Sequence, residues 1–384
     1  MHPLPTHAIE MLNILRNAGF EAYAVGGCVR DALLGFEPTD VDITTSAPSD
    51  AILRLFPASV QTGGKFMTVT VINAGGKAEI TPFRSDGGYS DSRRPDKVSL
   101  ASGLYEDLSR RDFTINTLCF DGENIIDLLD GSSDLYAGII RCVGEPRQRF
   151  GEDALRIMRA FRFSAELGFT IEQQTLDAAL SLSPNLKNIS VERIRDELTK
   201  ALLSRSPERI TPLLESNALV FLGIAPSPVP DKLGLLSCNP TARLSAFFYT
   251  CGRDAVESFK VPTRLKRDIQ RVCAALDRLP EPDIIAIKRE MSRFSAEVFA
   301  IAAEIAETIL QKPYEYVKLC RDIVLSGEPY RISDLAVNGD DLKAAGIQEN
   351  QIGSVLSALL DAVIESPQLN TVKDLNIIIG RLID

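Results

Sequence analysis

Histidine is nearly absent from this chain of 384 residues, and tryptophan is absent altogether. The two histidines are His2 and His7, both within the first ten residues. A Ser-His-Asp or Cys-His catalytic site in the body of the protein is therefore excluded, as are histidine-ligated zinc and iron centres. Any chemistry must use carboxylates, arginine, lysine, tyrosine, hydroxyl groups or thiols.

The cysteines do not indicate a metal site or a disulfide framework. There are seven, an odd number, and no two stand at the spacing of a Cys-x-x-Cys pair. This spacing disfavours both a disulfide framework and zinc knuckles. Scattered thiols usually pack as small apolar side chains in a reducing compartment, so we expect a cytoplasmic protein.

Long apolar runs are missing as well. The strictly apolar runs span only a few residues, whereas a membrane helix needs roughly 20. Residues 1–12 show neither the basic flank nor the apolar stretch of a secretory signal. We expect no membrane segment. The net charge of −10, taken alone, argues against a nucleic-acid partner. It does not exclude one, because a local basic stripe is enough to bind phosphates.

The patterns that are present change along the chain. Residues 21–27 and 40–46 predict strands, and two β-favouring segments around Asn-Ala-Gly-Gly at 73–76 predict a hairpin. Between Arg84 and Gly103 the polar, glycine-containing sequence predicts a long mobile loop. From about residue 145 the patterns are helical, including one stretch from about residue 284 to 310. The fold class is therefore α+β, with an α/β head followed by an all-helical remainder.

The most informative segment begins with Gly26 and Gly27, which follow a predicted strand and precede a predicted helix. Glycines at such a turn let the backbone approach a ligand closely, and helix-terminal amides can bind phosphate oxygens. Arg30 adds a planar cation suited to a triphosphate. Two glycines alone would indicate no more than a tight turn.

Acidic residues follow directly. Asp40 and Asp42 are two apart on a predicted strand, so their carboxylates share a face. Such a pair favours Mg²⁺ bound together with substrate phosphates. Glu79, on a nearby predicted strand, could complete a two-ion site, in which one ion activates an attacking hydroxyl and the other holds the triphosphate. The alternatives are a solvated edge strand for the aspartates and a surface glutamate for Glu79.

Taken together, these motifs resemble the nucleotidyltransferase superfamily, and specifically class II tRNA nucleotidyltransferases (CCA-adding enzymes) and bacterial poly(A) polymerases. The similarity covers most of the chain in the family's order, through GGCVRD (26–31), DVD (40–42), RRDFTIN (110–116), EDALRIMRAFRF (152–163), ERIRDEL (192–198) and YRISDLAVNGDDL (330–342). It implies a polymerase β-like catalytic head over 1–140, a helical neck with a nucleotide-selecting helix over 141–205, and a tRNA-binding helical body over 206–310 and tail over 311–384.

The resemblance also implies roles for individual residues. Arg111 is expected to contact the nucleotide, and Asp112 to orient an arginine or the sugar. Asp153 and Arg156 occupy the base-selecting positions on a predicted helix. Cytosine and adenine both present an amino donor beside a ring-nitrogen acceptor, which an Asp–Arg pair can match while rejecting uracil and guanine.

Neighbouring charged residues are expected to assist this pair. Arg159 and Arg162 would serve phosphates or shape the pocket, and ERIRDEL would support the helix through ion pairs. The alternative for the whole arginine series is a solvated charged face.

RNA needs a separate basic surface. A cluster on a predicted helix fits phosphate contacts along an RNA helix and comprises Lys260, Arg264, Lys266, Arg267 and Arg271. A solvated surface helix is the alternative. Lys288, Arg289 and Arg293 form a weaker second patch.

The sequence therefore predicts a Mg²⁺-dependent enzyme that adds CCA to tRNA from CTP and ATP. A poly(A) polymerase or an A-adding enzyme of the same family stays open. A CC-adding enzyme is disfavoured because, within this family, it is associated with a shortened loop, and the Arg84–Gly103 segment has full length. A non-enzymatic RNA-binding protein would be expected to lose acidic ligands, and all three are present.

Overall fold

The computed structural model describes residues 4–62, 67–73, 75–87 and 97–383. The chain forms two compact units, Met1–Pro228 and Val229–Asp384. Within the described residues, no helix combines the length and apolar character needed to cross a bilayer. The division into four parts at residues 140, 205 and 310 stays a prediction.

The first unit contains a mixed sheet whose described strands run in the order β3-β4-β5-β2-β1-β8-β9. The strands of this unit are β1 (Ala22–Val25), β2 (Asp42–Thr45), β3 (Ser59–Gln61), β4 (Val69–Asn73), β5 (Gly76–Pro82), β6 (Arg84–Gly87), β7 (Lys97–Leu100), β8 (Cys119–Phe120), β9 (Ile125–Ile126), β10 (Ile139–Ile140) and β11 (Thr170–Ile171). The short parallel pair β10–β11 lies outside the main sheet. The expected α/β head is confirmed.

Strand β2 is central to the site. It pairs antiparallel with β1 and parallel with β5, and this second pairing places Asp42 opposite Glu79. Ile43 and the two following threonines are buried, whereas Asp42 is exposed at the strand's first residue. The burial of β2 thus fixes its register and leaves the acidic end at the surface. Asp40 precedes the strand at a bend, so the prediction that both aspartates lie on the strand was wrong.

The ends of the predicted mobile loop are ordered. Strands β6 and β7 pair antiparallel, with Arg84 opposite Leu100, and the hydroxyls of Ser85 and Ser99 are 3.0 Å apart. The loop prediction was therefore wrong for these flanks, because backbone pairing overrides their polar composition. Residues 88–96 lie outside the described residues.

Helices complete the first unit. They are α1 (Thr6–Asn17), α2 (Gly27–Leu33), α3 (Ser49–Leu55), α4 (Leu104–Ser109), α5 (Gly131–Ala137), α6 (Pro146–Glu152), α7 (Leu155–Leu167), α8 (Gln173–Leu182), α9 (Val191–Leu202) and α10 (Thr211–Glu215). Asp153 is extended, with φ −139° and ψ 104°, and separates α6 from α7. The prediction that Asp153 and Arg156 share one helix was wrong, because the chain turns between them.

The second unit consists of helices and the segments that connect them, with no strand among its described residues. Its helices are α11 (Pro240–Cys251), α12 (Ala255–Ser258), α13 (Thr263–Asp277), α14 (Ile284–Phe294), α15 (Ala296–Thr308), α16 (Tyr316–Ser326), α17 (Gly339–Ala344), α18 (Glu349–Glu365) and α19 (Val372–Ile383). The predicted helical stretch from about 284 to 310 is broken at Ser295, where φ is +80°. The hydroxyl of Ser295 accepts a hydrogen bond from Val298 N and so caps α15.

Candidate active site

The glycine turn joins β1 to α2. Gly26 has φ +80°, a conformation that side chains with a Cβ rarely adopt, and its N–H donates to Leu118 O at 3.2 Å. A Cβ on Gly26 would lie only 3.4 Å from Arg111 Nη1. Glycine therefore lets the turn close against an arginine from the RRDFTIN segment.

The turn opens into a cavity of about 380 Å³ that gathers most of the predicted nucleotide-binding residues. Its walls come from the glycine turn and α2, the segment before β2, the region after α4, and helix α7. The lining residues are Gly26, Gly27, Cys28, Arg30, Asp31, Thr39, Asp40, Asp42, Arg111, Asp112, Asn116, Arg159, Arg162 and Phe163. Four arginines and four aspartates thus face one space.

Three acidic side chains meet at one edge of this space. Asp40, Asp42 and Glu79 line an adjoining cavity of about 290 Å³, together with Lys77. Although Asp42 reaches solvent as a residue, desolvation of its carboxyl group by the surrounding chain raises its pKa. Arg111 lowers that pKa, whereas the like charges of Glu79 and Asp40 raise it further.

The acidic edge does not form the complete cluster that the sequence predicts. Among the residues that the structure describes, no group of three or more His, Cys, Asp or Glu side chains is close enough to hold a metal ion. Glu79 instead lies 3.5 Å from Lys77, measured from Oε1 to Nζ. Asp40 and Asp42 keep the oxygen donors that Mg²⁺ prefers, so the metal role of this pair stays a prediction.

Arg30 is held firmly in the wall of the cavity. Its Nη1 donates to Asn116 Oδ1 at 2.7 Å, and its Nε donates to Asp31 Oδ1 at 2.8 Å. The side chain is buried, so these bonds fix the direction of its charge. The structure thus brings Arg30 to the glycine turn, as the sequence predicts.

Asp112 is the centre of a saturated network. Its Oδ1 accepts from Asn116 Nδ2 at 3.0 Å and from Phe113 N at 2.9 Å, and its Oδ2 accepts from Arg159 Nε at 2.8 Å. Burial by itself raises the pKa of Asp112, but Arg159 and these hydrogen bonds outweigh burial and hold that pKa well below its usual value. The carboxylate is therefore ionised and fully used.

Residues of helix α9 form ion pairs with the arginines of α7 and with Asp153, as the ERIRDEL motif predicts. Glu197 Oε2 accepts from Arg162 Nε at 2.5 Å, and its Oε1 lies 3.9 Å from Arg159 Nη1. Arg193 Nη2 donates to Asp153 Oδ2 at 2.9 Å. These ion pairs confirm the supporting role.

The predicted base-selecting pair is not formed. Asp153 bonds to Arg193, whereas Arg156 Nη1 pairs with Glu152 at 2.9 Å and its Nη2 donates to Arg110 O at 2.8 Å. Neither Asp153 nor Arg156 is among the described residues that line the glycine cavity. Arg156 lies in the first turn of α7, three residues before Arg159, and Asp153 lies just before that helix. The selecting role of both residues stays a prediction.

Sequence reasoning missed three residues of the site. Phe163 lies within 3.9, 5.0 and 5.2 Å of the guanidinium carbons of Arg162, Arg30 and Arg159, measured to the ring centre. Asn116 bridges Arg30 and Asp112. Asp107 contacts both Arg110 and Arg111, and its spacing of three and four residues from them was the available signal.

The basic cluster of the second unit is only partly available. On α13, Arg264 and Arg267 are exposed, whereas Lys266 contacts Glu257 and Arg271 donates to Phe294 O. Lys260 is exposed before the helix. RNA binding by these five residues stays a prediction, carried mainly by Arg264 and Arg267.

The prediction that Lys288, Arg289 and Arg293 form a second exposed basic patch was wrong. Lys288 is only 2% exposed, and its Nζ lies 2.5 Å from Glu328 Oε2. Arg289 pairs with Asp361 and Glu365. Carboxylates of the same chain therefore neutralise the positive charge of these residues.

Comparison with known proteins places these features in one group. A family model described as the poly A polymerase head domain matches residues 22–141, and one described as a probable RNA and SrmB- binding site of polymerase A matches 168–222. The chain is 49% identical to the CCA-adding enzyme of Levilactobacillus brevis, with 92% of this chain and 91% of the relative covered. It is 36% identical to the CCA-adding enzyme of Lactobacillus delbrueckii subsp. bulgaricus, with 95% of each covered.

Solved structures agree with the sequence comparison. The CCA-adding enzyme of Bacillus stearothermophilus in complex with CTP is 30% identical, with a TM-score of 0.80 over 94% of this chain and 92% of that one. The Thermotoga maritima CCA-adding enzyme complexed with tRNA has a TM-score of 0.68 over 98% of this chain and 95% of that one. At 21% identity the latter shows the fold alone.

Proposed function

Since this chain belongs to the family of CCA-adding tRNA nucleotidyltransferases, we propose that it adds C, C and A to the 3′ end of tRNA from CTP and ATP. The observation that carries the proposal is the single cavity onto which the glycine turn, the Asp40–Asp42 pair and the arginines of α2, α7 and RRDFTIN all open. Near full-length similarity to curated CCA-adding enzymes supports it.

The transfer breaks one phosphoanhydride bond of the nucleotide and forms one phosphodiester bond to the RNA. The 3′-hydroxyl oxygen of the RNA attacks the α-phosphorus and loses its proton, the bond to the β-phosphate oxygen breaks, and pyrophosphate leaves. Negative charge accumulates on the phosphate oxygens during this exchange. Arg111 and Arg30 face the space in which a triphosphate would lie beside the glycine turn, and their charges would stabilise it.

A divalent cation fits the acidic edge. Asp40 and Asp42 offer carboxylate oxygens, and the mutual repulsion that helps to raise the pKa of Asp42 would be relieved by a cation. These two residues would hold Mg²⁺, with Glu79 contributing negative charge and, for a second ion, an oxygen. When bound, Mg²⁺ supplies activation of the hydroxyl and neutralisation of phosphate charge.

Base choice is assigned to Asp153 and Arg156. An acceptor beside a donor complements the amino group and ring nitrogen shared by cytosine and adenine. Both side chains are engaged by neighbouring charges, Asp153 by Arg193 and Arg156 by Glu152, so an incoming base would have to compete with or share these bonds. Uracil or guanine would instead set a carbonyl acceptor against Asp153 and an N–H donor against Arg156, and this mismatch is the source of the selectivity.

The proposal is tested by giving the purified protein a tRNA that ends at the nucleotide before CCA. Each NTP is supplied alone, then CTP with ATP, always with Mg²⁺, and the products are sequenced. CTP alone should add two residues, and CTP with ATP should add CCA and stop. A tRNA with an intact CCA end is the control and should not be extended.

The alternatives give different products in the same assay. A poly(A) polymerase would extend many RNAs from ATP alone. An A-adding enzyme would extend neither of these two tRNAs and would use ATP only on a third substrate, a tRNA that already ends in CC, which is therefore included. Failure to incorporate any nucleotide would overturn the assignment to this reaction.

A further inference from the structure

Asp107 is the most completely enclosed carboxylate near the site. It lies on α4, its side chain has no exposed surface, and it does not itself line the glycine cavity. A buried charge is retained only if it is paired and hydrogen-bonded. Its partners therefore indicate what it holds in place.

One carboxylate oxygen fastens the start of the β6–β7 hairpin. Asp107 Oδ1 accepts from the backbone N–H of Arg84 at 3.2 Å and from Arg110 Nη2 at 2.7 Å. Arg110 Nε also donates to Arg84 O at 3.0 Å. Both backbone groups of the hairpin's first residue are thus fixed through Asp107 and its neighbour Arg110.

The other oxygen connects the acidic strand to Arg111. Asp107 Oδ2 accepts from Thr44 Oγ1 at 3.1 Å and from Arg111 Nη2 at 3.2 Å. Thr44 stands two residues after Asp42 on β2, so the two side chains share a face of that strand. One carboxylate therefore ties together the acidic strand, the hairpin and a cavity arginine.

Arg111 is placed for a ligand rather than for internal bonding alone. Its Nε is buried without a hydrogen-bond partner among the described residues, and its Nη1 lies 3.4 Å from where a Gly26 Cβ would stand. A buried unpaired N–H is unfavourable and needs an explanation. Anchoring of Nη2 by Asp107 explains why the guanidinium keeps this orientation towards the glycine turn.

We propose that Asp107 is a positioning residue of the nucleotidyl transfer. It holds the Arg111 guanidinium in the orientation that faces the triphosphate beside the glycine turn, and it couples this orientation to the first residue of the β6–β7 hairpin. The inference rests on the proposed function and adds a residue that acts only through Arg111. Because Arg111 faces the turn common to all nucleotides, the effect is the same for CTP and ATP.

The test is a double-mutant cycle of Asp107→Asn and Arg111→Ala, read out by two independent measurements. Equilibrium dialysis gives the Kd of CTP and of ATP in Mg²⁺ without RNA, and steady-state assays give KM and kcat for tRNA extension. Asp107→Asn should weaken both nucleotides about tenfold, the scale of one lost charged hydrogen bond. In the Arg111→Ala background the same change should alter Kd less than about twofold, because neighbours that act together are not additive.

A matched control separates positioning from general loss of stability. Asp134 is also buried and also pairs with a threonine hydroxyl, Thr114 Oγ1 at 2.6 Å, and with an arginine, Arg141. Any effect of Asp134→Asn on Kd should be the same with and without Arg111. If Asp107→Asn behaved like this control, with equal effects in both backgrounds, Asp107 would be structural only and the proposal would be overturned.

Two further arms keep the outcome clear. If Asp107→Asn does not fold, Thr44→Val removes one donor from the same carboxylate oxygen, and its smaller loss of affinity, about twofold to threefold, should likewise vanish in the Arg111→Ala background. Persistence of that loss would overturn the proposal. A wild type that binds CTP but extends no tRNA would refute the proposed function, while the dialysis cycle would still decide the role of Asp107.

Discussion

Two aspartates in the same cavity have opposite surroundings. Asp42 stands at the start of β2 near Asp40 and Glu79, and desolvation of its carboxyl group, together with the like charges of these two neighbours, raises its pKa. Asp112 is buried, accepts from Arg159 and Asn116, and has a pKa well below its usual value. The positive charge of Arg111 does not offset the desolvation and the acidic neighbours of Asp42, whereas Arg159 and the hydrogen bonds to Asp112 outweigh the burial of Asp112.

The contrast separates a ligand-binding group from a supporting one. Like charges that approach without a cation oppose folding, so their presence points to an ion that arrives with the substrate. A carboxylate with all its acceptor positions used cannot take a further ligand and instead fixes the arginines around it. The predictions below test this difference, beginning with the largest effect.

Replacing Asp42 should be the most damaging change. Asp42→Ala should lower incorporation by roughly 10³-fold or more, since a bound metal supplies several kcal/mol of transition-state stabilisation. Binding of tRNA, measured by filter retention, should persist. Asp50→Ala is the matched control, because Asp50 is an exposed carboxylate of the same unit that pairs with Arg54 on the surface of α3. Turnover of Asp42→Ala near the control's rate would remove the metal assignment.

Replacing Asp112 should damage stability as well as activity. Asp112→Asn removes the closer of the two carboxylates that Arg159 contacts and leaves Glu197 at 3.9 Å. The loss of stability should lie below the roughly 3–5 kcal/mol of breaking a fully buried pair, because the Arg159 side chain is 34% exposed. Activity should fall roughly 100-fold, because displaced arginines misplace the nucleotide. Thermal melts and kinetics of Asp112→Asn, Arg159→Met and the double variant check this. Asp112→Asn that melts like wild type would contradict the supporting role.

Asp153 lies between these extremes, since Arg193 is its one ion-pair partner within the described part of the chain. Asp153→Ala should lower the preference for C and A over U and G by roughly 100-fold while incorporation continues. Competition among the four NTPs, followed by sequencing, measures the preference. Asp196→Ala is the control, because Asp196 is exposed and pairs with the adjacent Arg195. Unchanged preference in Asp153→Ala would refute base selection by this residue.

Much of this comparison could be predicted from sequence. The Gly26–Gly27 turn, the acidic strand and the arginines of α7 each lie in a short segment whose pattern already indicates phosphate chemistry. Their convergence on one cavity follows from the family resemblance, which orders the segments along the chain. Short-range pattern and motif order therefore predicted the head fold and most of the cavity.

What the sequence did not reveal depends on long-range partners. Asn116 bonds to Arg30, 86 positions away, and Asp107 bonds to Thr44, 63 positions away, and no local pattern reports these two pairings. Lys288 appears basic in sequence, but Glu328, 40 residues later, neutralises it. The break before α7 was missed because Asp153 N-terminal to a helix has the same polar spacing as Asp153 within one.

Replacing Phe163, which contacts the arginines of the cavity, should have a smaller effect. Phe163→Leu keeps apolar volume but removes the ring over which three guanidinium groups lie, so nucleotide affinity should fall roughly tenfold. Phe163→Tyr should restore most of it. Phe161→Leu, at a buried position on the same helix where no cation–π contact occurs among the described residues, is the control. Equal losses in both leucine variants would reduce the role of Phe163 to packing.

The smallest effect is the most direct comparison of the two aspartates, because it follows their charges with pH. The raised pKa of Asp42 means that its ionised form opposes folding, a penalty fully present above the folded pKa and lost as pH falls towards the unfolded value of about 3.9. The lowered pKa of Asp112 means that its ionised form favours folding, a contribution present above about pH 3.9 and lost only as pH falls further. Between pH 7 and pH 4, with divalent ions chelated, Asp42→Asn should therefore have a higher melting temperature than wild type, and this difference should shrink as the pH falls. The melting temperature of Asp112→Asn should lie below that of wild type by an amount that stays constant over this range.

Adding Mg²⁺ at pH 7 should raise the melting temperature of wild type and not that of Asp42→Asn. Parallel pH profiles for the two variants would show that the two carboxylates do not differ in the way their surroundings indicate.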